Sequence, residues 1–146
     1  MPDTIIVSVP HTGTRFLQER LGVEKYVHTH SNWVHLHKRI HNKQIIAPLR
    51  KPKDVWRSWC RRRPGSQDVL DWAQHFFAAW YVMHTIDQLY DVDFICVDKR
   101  DDERIEDWSS VGEDEKSHPL WKHHRADLRV IYKIPFVNRH YPSHLK

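Results

Sequence analysis

Residues 5–17 read IIVSVPHTGTRFL, and this stretch decides the fold. A β-branched apolar run drives into Pro10, a short polar turn follows, and apolar residues then resume at helical spacing. Only four glycines occur in 146 residues, and one of them, Gly13, sits in this turn. A buried strand that ends in a tight turn and feeds a helix directs several backbone N–H groups outward together. Such a turn can cradle a phosphate-like anion, or it can serve merely as a connection. The segment TIIVSV (4–9) has the continuous apolar character of a parallel strand covered on both faces. Helical spacing of Phe16, Leu17 and Leu21, closed by Gly22, predicts a helix from Thr14 to Leu21.

Outward from this β-turn-α unit, further strands alternate with helices. KYVHTH (25–30) is a candidate second strand, followed by a polar, histidine-rich segment to about Lys43. QIIAPLR (44–50) is the next strand. Pro52 suits a helix's first turn and no later position, so PKDVWRSWCRRR predicts a helix from Pro52 or Lys53, ended by RRRPG. The longest helix candidate runs from Asp68, a possible cap, to Tyr90. Val69, Trp72, Ala73, Phe76, Phe77, Trp80, Met83 and Ile86 give it a wide apolar face, which predicts burial. VDFICVD (92–98) reads as another buried strand and KRDDERIED (99–107) as a polar helical or irregular segment. LRVIYKI (128–134) fits a strand and a helix equally. The alternation implies an α/β fold, with a parallel sheet covered on both faces.

The bulk numbers are those of one globular domain spanning residues 1–146, with 40% hydrophobic and 29% charged residues. No apolar run approaches the roughly 20 residues that cross a bilayer, so no membrane partner is expected. Pro10 and His11 interrupt the N-terminal apolar run, unlike a secretory signal, and the expected compartment is the cytoplasm. Cys60 and Cys96 form no CxxC pair; both are expected as reduced, buried thiols. A net charge of +4 with thirteen histidines favours anionic partners such as nucleotides, sulfated or phosphorylated molecules, or nucleic acid.

PHTGTRF after the first strand, and LRKPKDVWRSW after a later one, together resemble the two cofactor-binding signatures of sulfotransferases that use 3′-phosphoadenosine 5′-phosphosulfate (PAPS). In that family the first loop reads roughly Pro-Lys-Ser/Thr-Gly-Thr-Thr/Arg and wraps the 5′-phosphosulfate. The second runs Arg-x-Pro-x-Asp-x-x-x-Ser and binds the 3′-phosphate; Arg50, Pro52, Asp54 and Ser58 reproduce it. The resemblance covers roughly residues 4–62. It implies a P-loop-like parallel sheet flanked by helices and a sulfuryl transfer from PAPS to a hydroxyl or amine of a small-molecule or saccharide acceptor. The product would be adenosine 3′,5′-bisphosphate, and no metal is required. The cofactor-binding residues it implies are His11, Thr12, Gly13, Thr14, Arg15, Phe16, Arg50 and Ser58. Elementary physics agrees. Amides at a helix N-terminus favour negative charge, the Thr12 and Thr14 hydroxyls add donors, and Arg50 is a permanently charged fork suited to phosphate. Arg50 could instead pair with Asp54, and Ser58 could bond the preceding turn. Phe16 is equally a ring for adenine stacking and a core phenylalanine.

His11 stands where the family has a lysine that neutralises the leaving group, a task open to histidine only when protonated. The family's base is commonly a histidine in a Thr-His pair at a strand end, some twenty residues before the 3′-phosphate arginine. Thr29 and His30 reproduce the pair, so His30 is the first candidate; His28, two residues earlier on the same face, is the reserve. HTH (28–30) with HLHKRIH (35–41) supplies five imidazoles, and His37 and His41 stand four apart, so a metal site competes with solvated histidines. RSWCRRR with Trp56 and Trp59 invites a nucleic-acid reading, although three-residue spacing places both rings on one apolar helix face, and nucleic acid is not the expected partner. A P-loop nucleotide kinase is the alternative enzyme, with Asp98 imitating a magnesium-holding strand end, but the loop lacks GxxxxGK[ST]. A noncatalytic nucleotide- or RNA-binding protein is the third class.

Overall fold

The computed structural model of the chain describes residues 3–10, 12–62, 69–97 and 128–146. The expectations for His11, Asp68, Asp98 and residues 99–107 lie outside these. Four strands, β1 (Thr4–Ser8), β2 (Tyr26–His28), β3 (Gln44–Leu49) and β4 (Val92–Cys96), pair in parallel in the order β2-β1-β3-β4. Between them run α1 (Thr14–Leu21), α2 (Trp33–Ile40), α3 (Pro52–Arg62) and α4 (Val69–Leu89). After β4 come α5 (Leu128–Tyr132), α6 (Pro135–His140) and a single 3-10 turn, Ser143–Leu145. The α/β class and the parallel sheet follow the sequence reading, as do α1, α3 and α4 to within a residue or so.

Alternation along the strands sorts side chains onto two unequal faces. Ile5, Val7 and Val9 join Ile45, Ala47 and Leu49 in a large cluster with residues of α2 through α6. Ile6 faces the other way and packs with Leu17 of α1 and Val97. Helices therefore cover both faces, α1 on one and α2–α6 on the other. Crossovers that share one hand, as the right-handed rule requires, give this partition, because the chain leaves β1 in one direction to make β2 and then returns past it to make β3. In α4, Phe76, Trp80, Met83 and Ile86 are buried as their spacing predicts. Trp56 and Trp59 likewise lie in the core with their rings edge-on to Phe76. Burying an aromatic of this size contributes about 2–3 kcal/mol.

Three features differ from expectation or extend it. The histidine-rich segment holds a helix, α2. Asn32 caps it by accepting from the Val34 amide at 2.9 Å, and Leu36 and Ile40, four residues apart, give it a buried seam. The first five residues of LRVIYKI resolve as helix, α5, with Ile131 in the large cluster, and Ile134, also buried there, is the extended N-cap of α6. Cys96 is not in a disulfide and is only half-buried, on β4, one of the two edge strands of the described sheet. No helix among the described residues is long and apolar enough to cross a membrane.

Candidate anion site at the carboxyl edge of the sheet

Strands β1 and β3 are neighbours, and the chain departs from them in opposite directions: β1 leads to α1 and β3 to α3 on the other face. This is the switch point of the sheet, where open α/β folds form a crevice outside the strand carboxyl ends. Both sequence motifs begin there. The parallel register pairs Ile6 with Ile46, so the chain leaves both strands at the same edge of the sheet.

Gly13 has φ 100° and ψ 32° and is the N-cap of α1. Its conformation is left-handed, and a Cβ at this position would come within 2.9 Å of Val97 Cγ1. Glycine is therefore required twice over, by backbone angle and by space. The same contact locates the turn: the Val97 amide donates to the Leu49 carbonyl at 2.7 Å, so the turn after β1 leans across the end of β3, next to Arg50. No side chain caps α1, and its first-turn amides emerge beside Gly13.

Arg50 is only 8% exposed, and Ser58, two turns into α3, is equally buried. The Tyr141 hydroxyl, itself buried, donates to the Arg50 carbonyl at 2.9 Å. Burial holds the Tyr141 phenol in its neutral, donating form by raising its pKa well above the usual value. Tyr141 belongs to the C-terminal tail, where the sequence shows no readable pattern, and it fixes the backbone from which the arginine projects.

The hydroxyls of the turn behave differently from one another. Thr12 donates to the Val9 carbonyl at 2.6 Å, and a hydroxyl has one proton to give. The expectation that the Thr12 hydroxyl serves as a donor to a bound anion is corrected accordingly: its hydroxyl braces the turn, and only its amide remains for a ligand. Thr14 Oγ1 lies 2.7 Å from Ser8 Oγ, and Ser8 Oγ lies 3.0 Å from His28 Nδ1. A buried chain of two hydroxyls and an imidazole thus links the first residue of α1 to the end of β2. Ser8, with no exposed surface, was not singled out from the sequence. The available signal was a lone hydroxyl inside the apolar run IIVSV.

His28 and His30 project from the same side of the β2 end, ring centres 5.5 Å apart. Thr29 between them is buried on the opposite side, its amide donating to the Ser8 carbonyl and its hydroxyl to the Ala79 carbonyl of α4. The threonine of the Thr-His pair is thus a peg that fixes both imidazoles. Burial, reinforced by the His30 charge, lowers the His28 pKa against a smaller opposing effect of hydrogen bonding to the Ser8 backbone. Burial, then His75, lowers that of His30. Both rings are therefore favoured in the neutral state, which a proton acceptor needs.

Arg15 is exposed. Phe16 is half-buried against Ile6, Leu17 and Val97 and carries the Arg20 guanidinium 5.6 Å from its ring centre. His37 is engaged by the Tyr90 hydroxyl at 2.7 Å and stands 5.5 Å, ring to ring, from His41. Among the described residues no three His, Cys, Asp or Glu side chains gather as a metal site. The chain matches no protein-family model, and no curated protein or solved structure matches it.

Proposed function

We propose that the protein is a sulfotransferase that binds PAPS across the carboxyl edge of a P-loop-like sheet and passes its sulfuryl group to a hydroxyl or amine acceptor. The observation that carries this reading is that the Gly13 turn and the buried Arg50 follow the carboxyl ends of adjacent strands at the switch point. Two groups with the chemistry to bind an anion, 37 residues apart in sequence, thereby suit opposite ends of one doubly charged nucleotide. The amides of Thr14, Arg15 and Phe16 suit the 5′-phosphosulfate, and Arg50 with Ser58 suits the 3′-phosphate. Phe16, half-exposed beside the turn, is available to the adenine.

In this scheme His28, fixed by Ser8, takes the acceptor proton on Nε2, with His30 as its neighbour and the second candidate. The acceptor atom attacks sulfur, the bond from sulfur to the bridging oxygen breaks, and its electron pair stays on the departing phosphate. The first-turn amides stabilise that charge as it develops. His11, one residue before Thr12, is the candidate for cationic assistance.

Calorimetry with adenosine 3′,5′-bisphosphate tests the assignment. Magnesium-independent binding by the wild type is expected, and Arg50→Ala should lose about 2 kcal/mol or more, some 30-fold in affinity. Unchanged affinity in the variant would remove the 3′-phosphate site. Magnesium-dependent ATP binding would support a phosphotransferase instead, and RNA binding with a steep salt dependence and no nucleotide preference a noncatalytic protein.

A further inference from the structure

We infer that Ser8 is a positioning residue that transmits occupancy of the anion site to His28, setting which of its ring nitrogens carries the proton. This rests on the proposed nucleotide site. The chain Thr14 Oγ1, Ser8 Oγ, His28 Nδ1 has spacings of 2.7 and 3.0 Å, and each hydroxyl has one proton. Both neighbours could donate to Ser8 together, but its own buried proton would then lack an acceptor, so two directions satisfy every group of the chain.

In the first direction Thr14 donates to Ser8, Ser8 donates to Nδ1, and the imidazole proton sits on Nε2. Thr14 then presents only lone pairs outward, and Nε2 has no lone pair with which to take a proton. In the second, Thr14 donates outward, Ser8 donates to Thr14, and Nδ1–H donates to Ser8. Nε2 is then a free acceptor.

An anion seated on the first turn of α1 selects the second direction, because the Thr14 proton points at it and the Thr14 lone pairs no longer do. The change costs no net charge. Nε2 releases a proton to water, the Ser8 proton passes to Nδ1, the Thr14 proton passes to Ser8, and Thr14, at the outer end of the chain, takes one from water. Ser8 can pass the signal because it is fully buried and no water competes for its bonds. The surroundings of His28 are consistent with a single switching contact: the Tyr26 ring meets it edge-on at 5.3 Å, and His30 lies at 5.5 Å. His28 thus becomes a proton acceptor when the nucleotide arrives.

Nitrogen NMR of histidine-labelled protein, titrated with adenosine 3′,5′-bisphosphate, reads the tautomer directly. In the wild type, saturation should move His28 predominantly to the Nδ1–H form. In Ser8→Ala the bisphosphate should still bind, weakened by no more than about fivefold, the equivalent of one neutral hydrogen bond, while His28 keeps its ligand-free tautomer ratio. Thr14→Val, nearly isosteric and so a safeguard should Ser8→Ala fold poorly, should also abolish the shift, and Thr14→Ser should restore it. Binding without a tautomer change in the wild type, or an undiminished change in Ser8→Ala or Thr14→Val, overturns the relay and leaves the nucleotide site standing. Absence of bisphosphate binding to the wild type overturns both.

Discussion

Replacing Gly13 by alanine separates two costs that the geometry imposes at the turn before α1. The first is backbone strain: at φ 100° an L-residue is disfavoured by about 1–2 kcal/mol. The second is steric, since the new methyl would sit 2.9 Å from Val97 Cγ1. Val97 is fully buried and tied to Leu49 through its amide, so it cannot swing away freely, and forcing such overlap in a packed region costs about 1–3 kcal/mol. Gly13→Ala should therefore lose about 2–5 kcal/mol of stability, by the two contributions together. Gly22 supplies the control. It is also left-handed, at φ 67°, but nothing lies within 4 Å of its Cβ position, so Gly22→Ala should cost only the strain of about 1–2 kcal/mol. Urea denaturation followed by tryptophan fluorescence gives each value from the midpoint and slope. Val97→Ala gives a further check: in that background the cost of Gly13→Ala should fall to the level of Gly22→Ala. Equal costs for the two glycines in the wild-type background, or no relief from Val97→Ala, would refute the placement of the turn over the end of β3.

Three other outcomes follow from the same geometry. Tyr141→Phe removes a buried donor to the Arg50 carbonyl and should cost about 1–3 kcal/mol in denaturation experiments, with a loss of bisphosphate affinity that a merely structural tyrosine would not cause. Asp87, whose side chain is 7% exposed, accepts from His140 Nε2 at 3.2 Å, with the exposed Arg139 at 3.7 Å. Asp87→Ala should cost about 1–3 kcal/mol by denaturation through the His140 contact, whereas Arg139→Ala should cost less than about 1. The lowered pKa values of His28 and His30 make the unfolded chain bind more protons than the folded one in mildly acid solution. Their contribution to stability should be fully present above the ordinary histidine pKa of about 6.5 and lost as pH falls through the lowered folded values. His28→Gln should flatten that part of a pH-dependent urea midpoint series, and an unaltered profile would contradict the burial of the ring.

The strands and helices were legible because their signals are local. A β-branched run such as TIIVS, a proline at the first turn of α3, and apolar spacing along α4 each encode backbone geometry within a few residues. The parallel sheet followed from their alternation, and the two motif turns from their places after β1 and β3. Helix α2 was less legible because its buried seam amounts to Leu36 and Ile40 amid histidines. The tail was opaque because α5 and α6 are five and six residues long, too short for a periodic pattern to emerge.

The sequence by itself determined which residues could hold an anion; tertiary structure decided which of their atoms remain available and what stands behind them. Thr12 has the right chemistry for a donor, yet its proton goes to Val9. Ser8 and His28 are 20 residues apart, and Tyr141 and Arg50 are 91 apart. Those pairs exist only because parallel register and the docking of the tail bring them together. A hydroxyl proton or a carbonyl lone pair can be spent once, and how it is spent depends on neighbours distant in the chain.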